Sequence, residues 1–137
     1  MLDLSRKDEL VVVKLGDAEI TCKPHRSQDH TIAKLKASKS VIALKKQRAE
    51  ELEQGVETKL PNMDDEDVVT GVFTCVFNTE FAKLVILEWK GVGIAGEEIP
   101  VNDENIELLM ADGALQEQFF IQYMELQRQV EEEKKSL

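Results

Sequence analysis

Residues Val68 to Trp89, VVTGVFTCVFNTEFAKLVILEW, decide the fold, because two readings compete over them. The β-branched and aromatic Val68, Val69, Val72, Phe73, Val76 and Phe77 suit strands, and Thr70 and Gly71 weaken a helix. Against that, Val69, Phe73, Val76 and Phe77 continue into Phe81, Leu84, Val85 and Trp89 without a breaker after Gly71. That spacing predicts one helix through Trp89, central and the most buried of the chain.

Upstream, Asp64, Asp65, Glu66 and Asp67 supply the acidic entrance that the positive end of such a helix favours. They are not a calcium loop, since they lack its alternation and closing glutamate. Gly55 and Pro61 separate this entrance from a long stretch, Thr31 to about Glu53, that has no internal Gly or Pro. Ile32, Leu35, Val41, Ile42, Ala49 and Leu52 form a broad apolar stripe there, predicting a long, largely exposed helix. Ser27 or Asp29 can cap it, with His30 in its first turn. Its lysines precede its glutamates, opposite to the order the helix dipole prefers, so this face answers to a partner or is a plain solvated surface. Before it, Leu10 to Leu15, Gly16-Asp17 and Ala18 to Cys22 read as a two-stranded hairpin stopped by Pro24.

Downstream, Gly91, Gly93 and Gly96 predict a small hairpin or structured loop before Pro100. These glycines do not form a dinucleotide fingerprint, which needs a strand and an immediate helix around them. Asn102 or Asp103 can cap a short helix carrying Ile106, Leu109 and Met110, and Asp112-Gly113 resets the register. Leu115, Phe119, Tyr123, Leu126 and Val130 then form the clearest amphipathic stripe in the chain.

The expected architecture is α+β: a helix-dominated small single domain over residues 1–137. It comprises an N-terminal β element (1–26, a β-hairpin), a helical region (27–90), a glycine-rich turn region (91–101, a short central extended or hairpin segment) and a C-terminal helical region (102–137). The 137 residues, 42% of them apolar, suffice for one core and not for two.

A net charge of -10 argues against a general nucleic-acid binder and points to protein partners. The charge is divided: residues 1–48 hold 11 Lys or Arg against 6 Asp or Glu, and residues 49–137 hold 6 against 21. Such asymmetry can align copies head to tail as a homo-oligomer, or pair internally. No apolar stretch approaches the length of a bilayer span, so no membrane role is expected. Cys22 and Cys75 read as free thiols packed as small hydrophobes. Cys22, His25 and His30 match no ligand spacing, so neither metal nor cofactor is assigned. There is no G-x-S-x-G elbow or comparable nucleophile motif, and the chain is read as non-enzymatic.

Cys22-Lys23-Pro24 after the hairpin, then Leu87-Glu88-Trp89-Lys90-Gly91-Val92, Gly96, Ile99-Pro100-Val101, Glu104-Asn105 and Leu108-Leu109, carry a family resemblance. This order resembles small tail assembly chaperones of tailed bacteriophages, with their W-x-G-V segment, extended turn and L-L helix. Phe119 and Tyr123 continue the closing helix. Residues 34–63 carry no matching motif, and Ile94-Ala95-Gly96 stands where related sequences place an Asp-rich turn. The resemblance implies a non-catalytic chaperone binding a tape-measure or other tail protein in the host cytoplasm during assembly, in some systems with a frameshift-extended partner. The alternative is a structural tail-completion or connector protein retained in the virion tail. Trp89, Phe119, Tyr123 and Leu126 are the candidate protein-binding residues; each is more simply a core residue, and contacts a partner only where the core leaves it open.

Overall fold

In the computed structural model, which describes residues 9 to 136, the N-terminal segment forms the expected hairpin. Strand β1 (Val11–Leu15) pairs antiparallel with β2 (Ala18–Cys22), from Val11 opposite Cys22 to Leu15 opposite Ala18. Alternation places Val11, Val13, Leu15, Ile20 and Cys22 on a buried face, with Val12, Lys14 and Glu19 exposed.

Helix α1 (Ser27–Glu53) ends where expected but begins at Ser27, a turn before Thr31, so Asp29 is not its cap and lies buried within its first turn. Helix α2 (Glu66–Val85) opens as the acidic run predicts, with Asp65 Oδ1 accepting from Asp67 N at 2.9 Å. It stops at Val85, and Ile86–Lys90 becomes strand β3, antiparallel to β2. The expectation of a helix through Trp89, and of a helical region reaching residue 90, is therefore corrected. The physical reason is tertiary: Glu19 and Thr21 of β2 need partners on the side away from β1, and Lys90 and Glu88 supply them. The β-branched and aromatic content of ILEWK permits the switch without a loop. A bulge between Thr21 and Cys22 leaves both Leu87 and Glu88 exposed while Ile86 and Trp89 face inward. The N-terminal hairpin is thus part of a three-stranded sheet, ordered β1-β2-β3.

The glycine-rich region forms a hairpin of β4 (Gly93–Ile94) and β5 (Glu97–Glu98). Helix α3 (Asp103–Ala111) is capped by Asn102, whose Oδ1 accepts from Asn105 N at 2.8 Å. Asp112 ends α3 and starts α4 (Gly113–Ser136), accepting from Leu115 N at 3.1 Å. The domain is α+β, with four helices, the hairpin and the short strand pair among the described residues.

Contacts divide the chain into two compact units: residues up to Arg26 with those from Ala82 on, and Ser27–Phe81. In the first, α4 packs along β1 and against α3. Its core includes Val13, Ile20, Cys22, Phe119 and Tyr123, all fully buried. Each large apolar side chain buried there contributes roughly 1.5–3 kcal/mol. In the second, α1 and α2 run antiparallel. His30 meets Phe77 edge-on at 5.1 Å toward one end, and Arg48 pairs with Asp64 at 2.9 Å toward the other. Phe73, Phe77 and Phe81 stack along α2 at intervals of four residues.

Helix α2 is the least exposed of the four described helices, but its burial is shallow along most of its length. Among its residues only Phe81, Ala82 and Val85 are buried, while Val68 to Phe77 are half-buried or exposed. By length and composition alone it could cross a membrane, contrary to the expectation that no stretch reaches that length. Glu80 and Lys83, Asn78 and the threonines interrupt its apolar character. Cys75 is exposed rather than packed in a core, whereas Cys22 is buried as expected; neither is in a disulfide.

Candidate functional site

In the first unit, three elements converge on a groove of about 380 Å³. Leu15, Ala18 and Ile20 of the β1–β2 hairpin form its floor, Val92, Ile94 and Ile99 one wall, and Leu108, Leu109 and Leu115 the other. Ile94 and Leu108 stand at the rim with more than half their surface exposed, 54% and 57%.

The walls are held by hydrogen bonds that the sequence spacing supplies. Trp89 Nε1 donates to Ile99 O at 2.7 Å, Gly91 N to Glu98 Oε1 at 2.7 Å, and Ile99 N to Val92 O at 3.0 Å. These bonds tie the β4–β5 hairpin to the end of β3. Gly93 is obligatory in this wall, because a Cβ there would sit 2.4 Å from Glu97 O. On α3, Asn105 Nδ2 donates to Pro100 O at 2.8 Å, fixing the helix start to the extended segment. Lys83 Nζ pairs with Glu107 Oε1 at 2.6 Å on the same helix.

The two polar side chains in the lining, Asn105 and Asp112, are both engaged in these local backbone contacts. The groove is lined by apolar side chains and polar groups in comparable measure, while Glu97, Glu98 and Glu104 carry negative charge on nearby exposed positions.

The residues expected to contact a partner lie elsewhere. Phe119 and Tyr123 are fully buried and stack on one another at 5.9 Å, and Tyr123 Oη donates to Lys23 O at 2.9 Å. Trp89 is buried with its indole N–H bonded, and Leu126 is half-buried on the same inner face. These four side chains form core and support rather than open surface: Phe119, Tyr123 and Leu126 lie on the face α4 turns toward β1, and Trp89 lies on the inner face of β3. The groove residues Ile94 and Leu108 escaped sequence reasoning. The available signals were an apolar residue at a turn and a second adjacent leucine on a helix whose inward positions, Ile106 and Met110, were already filled.

Cys22, His25 and His30 do not assemble into a site. Cys22 lies in the core with its Sγ directed at Ile20 O, and burial pushes its thiol pKa up to about 12. The His25 ring lies 6.1 Å from that of Tyr123, and His30 lies against Phe77. Among the described residues no group of three or more His, Cys, Asp or Glu is arranged to hold a metal ion. Comparison with known proteins finds no family model, curated protein or solved structure that matches this chain.

Proposed function

We propose that this chain is a non-catalytic assembly chaperone for phage tails, holding an apolar segment of the tape-measure protein or another tail protein in the groove between α3 and the β4–β5 hairpin. The observation that carries this reading is a coincidence of position. Gly91, Val92, Ile99, Asn105, Leu108 and Leu109, which carry the resemblance to tail assembly chaperones, are also residues that line the groove. An amphipathic helix laid into the groove buries its apolar anchors against Ile94, Leu108 and Leu109, and the surrounding carboxylates keep the loaded complex soluble. In this role the protein works in the host cytoplasm while tails assemble.

Sedimentation of an aggregation-prone tape-measure fragment, with and without the purified protein, tests the proposal. The fragment is expected to stay in the supernatant in proportion to added protein. Leu108→Asp and Ile94→Asp should abolish that effect while leaving the far-ultraviolet circular dichroism unchanged, because both side chains are mostly exposed. Unaltered pelleting across a concentration series, or full protection by both variants, would refute it.

The divided charge of the chain favours a second reading, a structural tail component that packs against further copies or neighbours. Mass spectrometry of washed virions separates the two: a stoichiometric signal from this chain supports the structural role, and its absence supports the chaperone.

A further inference from the structure

Helix α1 carries two apolar stripes. Asp29, Ala33, Ala37 and Val41 line its buried side, at intervals of four residues. On the opposite side Ile32, Leu35, Ile42 and Ala49 are exposed, Ile42 at 66%, with Lys39 and Lys46 completing a coiled-coil-like seam. Helix α4 is arranged the same way with the opposite charge. Its inner stripe is consumed by the core, while Ala114, Ile121 and Met124 lie on its exposed side, Ile121 at 63%. That outer face carries Glu117, Glu125, Glu131 and Glu132 against one guanidinium, Arg128, which bonds Glu125 and Glu132.

We infer that these two faces are the two halves of a head-to-tail contact between copies of this chain, the basic α1 seam of one copy seated on the acidic outer face of α4 of the next. Three features select this occupant. The seams are equal in extent: Ile32 to Ala49 and Ala114 to Glu132 each span roughly 26 Å at 1.5 Å per residue. Their charges are complementary, whereas two α1 seams, or two α4 faces, would place like charges together. Their apolar residues also match in kind, branched aliphatics and Ala on one against Ile, Met and Ala on the other.

A single pair of helices buries less than the roughly 800 Å² per partner of a stable complex, so the contact is weak and concentration-dependent. Because the two faces differ, each copy keeps one face open after pairing, and growth continues beyond a dimer unless a ring closes.

Sedimentation velocity on the full chain tests the inference. The average mass should rise past that of a dimer with concentration. Raising the ionic strength should weaken association on the order of tenfold, as expected for two or three exposed ion pairs. Ile42→Asp leaves α4 intact and Ile121→Asp leaves α1 intact, so each variant alone should be monomeric and an equimolar mixture should form only a 1:1 heterodimer. Lys39→Glu/Lys46→Glu should also block association, and adding Glu117→Lys/Glu125→Lys in the same chain should restore it. Formation of the heterodimer shows at once that both single variants are folded. A wild-type chain that stays monomeric at every concentration leaves the seams to some other partner or to a lipid surface, and overturns the inference. Self-association of Ile121→Asp at wild-type strength, or a mixture that stays monomeric, overturns it equally.

Discussion

The side-chain amide of Gln122 on α4 stands in for a neighbouring strand at Lys14 of β1: Lys14 N donates to Gln122 Oε1 at 3.0 Å, and Gln122 Nε2 donates to Lys14 O at 2.7 Å. Leu15 and Ala18 close the hairpin as a hydrogen-bonded pair, so the alternate residue Lys14 directs its backbone groups away from β2. An outer edge left bare there is a template for pairing with another chain. One glutamine supplies both the acceptor and the donor that the edge requires, which a carboxylate cannot do.

Replacing Gln122 by Ala should therefore cost about 1–3 kcal/mol, two hydrogen bonds at ordinary net worth. Gln122→Glu should recover only part, since it accepts from Lys14 N but sets a carboxylate oxygen against Lys14 O. Urea unfolding gives the stability, and light scattering on storage should rise more for Ala than for a surface control such as Gln118→Ala.

Tyr123 serves the same core from the next position along α4. Tyr123→Phe keeps the ring stacked on Phe119 and removes the Oη bond to Lys23 O, a loss of about 1–2 kcal/mol. Phe119→Ala empties a fully buried site and should cost about 3–5 kcal/mol. Both should lower the urea midpoint with the slope preserved.

Ala95 has a φ of 52° and Gly96 one of 84°, the pair of positive values that a two-residue hairpin turn of this hand demands. An alanine is strained there, so Ala95→Asn should stabilise the protein by roughly 0.5–1 kcal/mol. Gly93→Ala should act in the opposite direction, driving a methyl group into Glu97 O and loosening a wall of the groove. Thermal unfolding of the two variants should shift with opposite signs.

The Cys22 thiol supplies a pH dependence. Burial raises its pKa from 9.0 to about 12, so the folded protein retains a proton that the unfolded chain releases. This contribution is whole below pH 9 and is lost as the pH climbs toward 12, by an amount on the order of 4 kcal/mol in all. Urea midpoints measured upward from about pH 8 should fall, and Cys22→Ala should flatten that fall while lowering the neutral-pH value. In native protein a thiol reagent should modify exposed Cys75 promptly and Cys22 only on unfolding.

Local chemistry was enough to expose much of this architecture. The alternation from Val11 to Cys22, the cap at Asn102, the acidic entrance of α2 and the stripe from Leu115 to Val130 all depend on neighbours a few residues away, and each was legible. The same stripe misled the reading of the site, because periodicity shows that Phe119 and Tyr123 share a face but not whether the molecule already covers it.

What the amino-acid order determined, then, was where helices and strands could start and which side of each was apolar. What only tertiary structure decided was the allegiance of residues that satisfy either periodicity. Ile86 to Lys90 left the helix because β2 offered unpaired backbone groups 64 or more residues earlier in the chain. Leu108 became a rim because the inward positions of α3 were taken by Ile106 and Met110, and Ile94 because it stands at the exposed turn of the β4–β5 hairpin. Pairing and burial over such separations depend on which surfaces meet, a property of the folded chain that no window along the sequence contains.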